Sequence, residues 1–123
     1  MNMKDITVDN IIRSQNVEDL ISYLSNNDLN SISDLLANKC TLTNFEYLVF
    51  KDKTSIINYY NEFNSTNNFE NYITHNIFED IHDTLISEYT IKNKKILYNF
   101  LCIYEFNNKD QITNIREFIS RAI

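Results

Sequence analysis

Glu117 is the acidic residue whose neighbours best suit proton-transfer chemistry. On a β-strand it shares a face with Thr113 and Ile115, because alternate strand residues point to the same side. A carboxyl group among apolar side chains resists ionisation, so its pKa rises and it can act as an acid or a base near neutral pH. The alternative is that Glu117 pairs with Arg116 or a rim lysine and faces solvent at the end of its strand.

His75 is the second candidate for acid/base chemistry. Its predicted strand places Ile73 and Ile77 on the same side, so it is either a reactive group or a hydrogen-bonded core histidine. His82 falls in a predicted turn and is expected to face solvent. The two histidines and two cysteines show no metal-ligand spacing, so no metal and no other cofactor is predicted.

The chain contains no glycine and no proline. A Walker loop, a dinucleotide fingerprint and a hydrolase nucleophile elbow all need glycine for close backbone approach or a strained turn. The composition therefore argues against those three classes. Asparagine pairs such as Asn26-Asn27 and Asn107-Asn108 stand where turns are needed, because Asn tolerates left-handed backbone better than other residues with a Cβ.

The length of 123 residues and the net charge of −6 indicate a single acidic domain. That charge would repel a phosphate backbone, so no nucleic-acid partner is predicted. No apolar run approaches the roughly 20 residues of a spanning helix, and the first residues resemble neither a secretory signal nor an anchor. We therefore expect no membrane partner and a cytoplasmic location. Cys40 and Cys102 are too few for a disulfide framework.

The order of predicted elements is helices first and strands afterward. Asn16 is expected to cap a first amphipathic helix, Asp28 a second that ends near residues 37–39, and Asp52 a third over residues 53–63. Short extended pieces are expected at residues 41–44 and 45–50. Four longer strands are predicted over residues 71–78, 84–92, 95–106 and 111–119. Residues 1–15 form an extension, either helical or a loose arm, before a domain at residues 16–123. This order predicts an α+β fold.

The strand over residues 95–106 is apolar on both faces. One side carries Tyr98, Phe100, Cys102, Tyr104 and Phe106, and the other carries Leu97, Leu101 and Ile103. Tyr98 and Tyr104 could hydrogen-bond a ligand, although aromatic stripes of period two are usually core. Each face of such a strand must be covered by something.

Three stretches resemble the nuclear transport factor 2-like superfamily, especially the SnoaL-like polyketide cyclases and the steroid delta-isomerases. They are residues 17–36, with the short turn at residues 26–29, residues 50–63, and residues 104–118. The resemblance implies a cone: a strongly bent, mixed or antiparallel sheet wrapped around three N-terminal helices, as in a cystatin-like α+β roll. It also implies an apolar cavity and a homodimer formed through the outer sheet face at Leu97, Leu101 and Ile103.

The resemblance also assigns residues to the cavity. The expected ligand pocket comprises Leu20, Leu24, Tyr60, Glu88, Tyr98, Phe100, Cys102, Tyr104 and Ile115. The residues that steroid isomerases use for catalysis fall on Leu20, Asn44 and Cys102. None of these three can supply the family's donor, base or acid, so that isomerase chemistry is not expected here.

Three hypotheses for function remain. The first is a homodimer that binds a small, largely apolar molecule in its cone without catalysis. The second is a cyclase, isomerase or hydrolase that uses Glu117 and His75 as catalytic acid and base. The third is a protein-interaction module whose cavity is filled by its own aromatic side chains.

Overall fold

The computed structural model describes residues 10–67, 71–80, 84–93 and 96–122. The helices are α1 (Ile11–Ser25), α2 (Leu29–Ile32), which continues into a 3-10 turn (Ser33–Leu35), and α3 (Lys53–Asn67). The strands are β1 (Leu36–Thr43), β2 (Val49–Phe50), β3 (Asn71–Glu79), β4 (Leu85–Asn93), β5 (Ile96–Phe106) and β6 (Ile112–Ala122). In these ranges no helix is both long and apolar enough to cross a membrane.

The six strands form one curved, open sheet with the order β2-β1-β6-β5-β4-β3. β1 and β6 run parallel, and the other neighbouring strands are antiparallel. The helices contribute Val17, Leu20 and Ile56 to a core that covers the inner face of the sheet. The predicted cone-like α+β fold with three helices is confirmed.

Helix α1 begins at Ile11, so the predicted cap at Asn16 was wrong. The Asn16 side chain instead reaches the turn before β6, where its Nδ2 donates to the carbonyl oxygen of Asp110 at 3.0 Å. The Arg13 guanidinium binds the Asp110 carboxylate in the same turn at 2.8 Å. A tertiary contact therefore replaces the local capping role. From Ile11 onward the extension is helical, and residues 1–9 lie outside the described ranges.

The second helix is shorter than predicted because β1 takes over at Leu36. Leu36 is fully buried and pairs with Ile112 on β6, so sheet formation overrides the helical pattern. Asp52 stands before α3 as predicted, and its Oδ1 accepts from the backbone N–H of Ser55 at 2.7 Å. The four longer strands lie close to their predicted bounds.

Turns use asparagine and aspartate in place of glycine. Asn27 and Asp110 have φ angles of 56° and 62°, in the left-handed region. The side-chain oxygen of Asn107 accepts from the backbone N–H groups of Lys109 and Gln111, both at 3.0 Å. This Asx-type turn fixes the connection between β5 and β6 without glycine.

The two faces of β5 are arranged as the sequence predicted. Phe100, Cys102 and Tyr104 are buried against the helices. Leu97 and Leu101 point outward and are 42% and 36% exposed. The sheet thus has an inner face that forms the core and an outer face that remains apolar.

Candidate functional site

Glu117 lies on the inner face of β6 and is only 4% exposed. The hydroxyl of Tyr59, on α3, donates to its Oε1 at 2.7 Å. Arg116 is exposed, because adjacent strand residues point to opposite faces. The alternative in which Glu117 faces solvent beside Arg116 was therefore wrong.

The surroundings of Glu117 favour its protonated form. Burial raises the pKa of its carboxyl group to about 7, although the hydrogen bond from Tyr59 works in the opposite direction. Among the described residues, Oε2 has no hydrogen-bond partner, and Glu117 borders a cavity. The carboxyl group can therefore donate a hydrogen bond through one oxygen when protonated and accept one when ionised.

Aromatic rings surround this carboxyl group. Tyr59 stacks on Phe50, with ring centroids 4.7 Å apart. Phe45 meets both Phe63 and Phe100 edge-on, at 6.2 and 6.0 Å. These contacts place an aromatic cluster between α3 and the sheet.

Several buried polar side chains lie near Glu117 on the inner face of the sheet. Cys102 stands opposite Glu117, and its thiol lies 3.9 Å from the Tyr89 hydroxyl, to which it donates. The Tyr104 hydroxyl shares a hydrogen bond of 2.7 Å with Ser87. Burial raises the pKa values of Cys102, Tyr89 and Tyr104, so all three remain neutral at physiological pH.

Two cavities lie where β1 ends and the chain turns toward β2; we call this region the mouth. The smaller, of about 160 Å³, is bordered by Thr43, Asn44, Phe45, Tyr47 and residues 116–119, which include Glu117. The larger, of about 300 Å³, is bordered by Asn44, Glu46, Leu48, Phe50, Tyr59, Glu62, Phe63 and Thr66. The hydrogen bond between Tyr59 and Glu117 thus joins a wall of one cavity to a wall of the other.

The sequence placed His75 on the wrong face. A β-bulge between Thr74 and Asn76 interrupts the alternation, so Ile73 is 51% exposed whereas Ile77 is fully buried. His75 is exposed on the outer face, where its Nε2 lies 2.6 Å from the hydroxyl of Thr90. His75 and Glu117 therefore belong to opposite faces of the sheet and do not form one catalytic site.

His75 borders a separate groove of about 310 Å³ on the outer face. Glu88, predicted to line the interior, also borders this groove, because its two neighbours on β4, Ser87 and Tyr89, point inward. Thr90 donates to the side-chain oxygen of Asn99 at 2.9 Å, which continues the polar row from His75. The inward placement predicted for Glu88 was wrong.

The other predicted pocket residues are all on the inner side. Tyr98 is partly buried against the core. The remaining ones are buried: Leu20, Leu24, Tyr60, Phe100, Cys102, Tyr104 and Ile115. They pack together as core, and their contact with a ligand stays a prediction.

Two residues of the mouth, Tyr59 and Phe45, were not predicted from the sequence. Tyr59 follows Ile56 by three residues and precedes Phe63 by four, so helical spacing could have assigned it to the buried stripe. Phe45 stands in an irregular segment, where periodicity gives no signal. Its burial depends on the turn at Asn44, whose side-chain oxygen accepts from the N–H groups of Glu46 and Leu48 at 2.9 and 3.0 Å.

The same hydrogen bonds hold the Asn44 side chain in the turn between β1 and β2. Within the described part of the chain, no group of three or more His, Cys, Asp or Glu residues is placed to hold a metal ion.

Comparison with solved structures identifies the fold. An NTF2-like protein of unknown function from Burkholderia xenovorans LB400 aligns with a TM-score of 0.75 and 11% identity, over 90% of this chain and 84% of its own. A steroid delta-isomerase from Pseudomonas aeruginosa gives a TM-score of 0.73 at 11% identity, over 88% and 79%. A third neighbour is SalBIII, an epoxide hydrolase/cyclase-like enzyme with a role in pyran ring formation in the polyether salinomycin. It aligns with a TM-score of 0.71 and 13% identity, over 88% of this chain and 90% of its own.

No family model matches the sequence, and neither does any curated protein. The structural neighbours are NTF2-like proteins of the ketosteroid isomerase-like and cyclase-like kinds. The predicted resemblance is confirmed at the level of the fold, which is NTF2-like.

Proposed function

We propose that this protein binds a small, largely apolar molecule at its mouth, with Glu117 and Tyr59 as the polar contacts. One observation supports this proposal above the others. The buried carboxyl group of Glu117 accepts a hydrogen bond from one tyrosine, Tyr59, and borders a cavity. Burying a carboxyl group without a paired cation is costly, and such groups concentrate at functional sites. The aromatic walls supply the apolar contacts that a neutral ligand needs.

The chemistry of the site suggests the ligand class. Because the pKa of Glu117 is raised to about 7, the protonated and ionised forms are both accessible near neutral pH. Tyr59 already donates to Oε1, so a ligand oxygen would meet the protonated Oε2. A neutral ring compound with one hydrogen-bonding oxygen matches this combination of one polar wall and several aromatic ones.

The binding proposal is tested with N-phenyl-1-naphthylamine, a neutral apolar probe whose fluorescence rises in apolar sites. We expect saturable binding that falls when Ala replaces Glu117 and Tyr59 together. Glu105→Gln is the matched control, because Glu105 is exposed on the outer side of β5. Equal probe binding by the wild type and the double variant would contradict a site at this pair.

A second candidate function is acid/base catalysis by Glu117. It is favoured by the raised pKa, since a proton donor and acceptor works best when its pKa lies near the operating pH. The same fold occurs in a steroid delta-isomerase and in an epoxide hydrolase/cyclase-like enzyme, which is an analogy of fold alone. His75 takes no part, because it lies on the outer face. Glu117→Gln separates the two functions: it abolishes turnover in an enzyme and preserves most binding in a receptor.

We also propose a homodimer formed through the outer sheet face. Leu97, Leu101 and Phe118 are 42%, 36% and 43% exposed on this face, and the alternation of β5 puts Ile103 on the same side. An apolar surface of this kind on one face of a sheet favours association.

A cytoplasmic location also stays a proposal, which localisation of a tagged chain would test.

A further inference from the structure

The groove on the outer face of the sheet takes no part in the function proposed at the mouth. Its volume of about 310 Å³ lies at the lower end of the range for small-molecule sites, about 300–1,000 Å³. Four strands supply residues to its border, among them His75, Glu88, Thr90, Asn99, Leu101 and Phe118. A groove of this size has room for a molecule with one ring.

Hydrogen bonds at Thr90 fix the positions of the protons in this groove. Thr90 is only 8% exposed, and its hydroxyl donates its single proton to Oδ1 of Asn99 at 2.9 Å. The hydroxyl can therefore only accept from Nε2 of His75, which lies 2.6 Å away. Neutral His75 thus carries its proton on Nε2, and Nδ1 is left as an acceptor. The same order of donors excludes His75 as a base that activates Thr90 as a nucleophile.

Glu88 adds a carboxylate to the acceptor at His75. Within the described ranges Glu88 forms no ion pair and no side-chain hydrogen bond, and no lysine or arginine borders the groove. The two acceptors lie on adjacent strands, because His75 precedes Asn76, the cross-strand partner of Glu88. An unpaired carboxylate beside a second acceptor favours a ligand that donates hydrogen bonds and is positively charged. The net charge of −6 attracts such a ligand toward the protein.

Leu101 and Phe118 give the groove an apolar side. They are cross-strand partners on β5 and β6 and are 36% and 43% exposed. The face of an aromatic ring attracts an ammonium ion, and both side chains gain free energy when an apolar group covers them. The groove therefore combines acceptors for a cation with a surface for hydrocarbon.

We propose that this groove is a binding site for an organic ammonium ion, a primary amine carried on one small ring or a short chain. The ammonium group donates to the Glu88 carboxylate and to Nδ1 of His75, and the hydrocarbon part lies against Leu101 and Phe118. An alcohol of the same shape lacks the charge, and an anion is repelled by Glu88. Glu117 lies on the opposite face of the sheet, so this proposal and the one at the mouth can fail separately.

The charge preference is tested with three probes that share a phenyl ring and a short chain: 2-phenylethylamine, which is a cation at pH 7, 2-phenylethanol and 3-phenylpropionate. Ligand-observed NMR titration measures the three affinities. The protein is diluted until it sediments as a monomer, because a partner subunit on this face would cover Leu101 and Phe118. We expect the amine to bind at least about threefold more tightly than the alcohol, and the anion most weakly. Equal affinities for the amine and the alcohol would overturn the proposal.

Glu88→Gln tests the carboxylate directly. It should weaken binding of 2-phenylethylamine about three- to tenfold and leave binding of 2-phenylethanol unchanged. Glu105→Gln is the matched control, because Glu105 is an exposed carboxylate on the outer side of β5 that does not border the groove. Both variants change the net charge of the chain equally. Equal losses of amine affinity in the two variants would show attraction to the net charge alone, and the site would be wrong.

Backbone amide shifts locate the bound amine. Saturation with 2-phenylethylamine should shift the amide signals of Thr90, Asn99 and Ser120, which border the groove. Shifts confined to Asn44 and Phe45 would place the amine at the mouth and overturn a site on the outer face.

Discussion

Cys102 on β5 and Glu117 on β6 are direct cross-strand partners, and both side chains are buried on the inner face of the sheet. The pKa of each group is raised chiefly by burial, and each ionised group would further disfavour ionisation of the other. The pair therefore holds at most one negative charge at neutral pH, and that charge belongs to the carboxyl group.

Thiol reactivity gives the first prediction. Burial raises the pKa of Cys40 to about 12 and raises that of Cys102 as well, so neither forms the thiolate that reacts with disulfide reagents. We expect both cysteines to resist Ellman's reagent at pH 8 in the native protein and to react fully in guanidinium chloride. Rapid modification of either thiol without denaturant would contradict the buried positions.

The second prediction concerns pH and stability. The pKa of Glu117 is about 7 in the folded protein and 4.5 for an unperturbed group, so the folded state binds the proton more tightly. The contribution of this group is fully present below about pH 4.5 and is lost as the pH rises to about 7. The loss amounts to no more than about 3 kcal/mol of unfolding free energy.

Urea denaturation at pH 5, 6, 7 and 8 measures this effect. Glu117→Gln should remove the part of the slope between pH 5 and 7 that Glu117 contributes, since the amide does not titrate. Glu105→Gln, on the exposed side of β5, should keep it. Identical slopes in the wild type and Glu117→Gln would show that Glu117 ionises as readily in the folded state as in the unfolded one.

The third prediction concerns Tyr59→Phe. Removing the hydroxyl group deprives the buried Glu117 of its donor, so the unfolding free energy should fall by about 1–3 kcal/mol. The pKa of Glu117 should rise further, because the hydrogen bond from Tyr59 lowers it. NMR titration of the labelled carboxyl carbon measures the pKa directly. A lower pKa in Tyr59→Phe would contradict this account.

The fourth prediction tests the turn at Asn44. Asn44→Ala removes the acceptor for two backbone N–H groups and should destabilise the protein by about 1–2 kcal/mol. Asn44→Asp keeps an acceptor at the same place and should cost much less. Thermal denaturation of both variants measures the difference. Equal losses in the two variants would mean that the amide group has another role.

The fifth prediction concerns the outer sheet face. Leu101→Lys should shift the proposed dimer to monomer, because a charge at this apolar surface would be desolvated on association. Val49→Lys places the same charge at an exposed apolar residue elsewhere and should leave association unchanged. Sedimentation equilibrium at micromolar concentrations measures both. Wild-type protein that is monomeric in this range would contradict the dimer.

The sequence predicted those features of the fold that depend on regular alternation. The faces of β5 and the inward position of Glu117 follow from a period of two, which β5 and β6 keep in register from Leu97 to Glu105 before the register shifts at Phe106. His75 was misplaced because a β-bulge adds one residue, and no sequence signal marked it. The cap predicted at Asn16 was wrong for another reason. The Asn16 side chain binds the backbone of Asp110, which is 94 residues away in the sequence. Local patterns cannot report such a contact.

The candidate site was likewise predictable only where local sequence patterns determine it. Glu117 was predictable, whereas its donor Tyr59 comes from a helix 58 residues earlier, and the aromatic contacts of Phe45 depend on an irregular turn. Both contacts arise only when α3 and the turn are brought onto the sheet.

The parallel pairing of β1 with β6 has a consequence for how the protein forms during synthesis. β6 lies between β1 and β5 in the sheet, although it follows β1 in the chain by nearly 70 residues. Until β6 leaves the ribosome, the edges of β1 and β5 that face it have no partner. Such distant contacts predict slow folding, in milliseconds to seconds. The nascent chain would therefore carry two unpaired strand edges, and we expect chaperones that shield such edges to bind it.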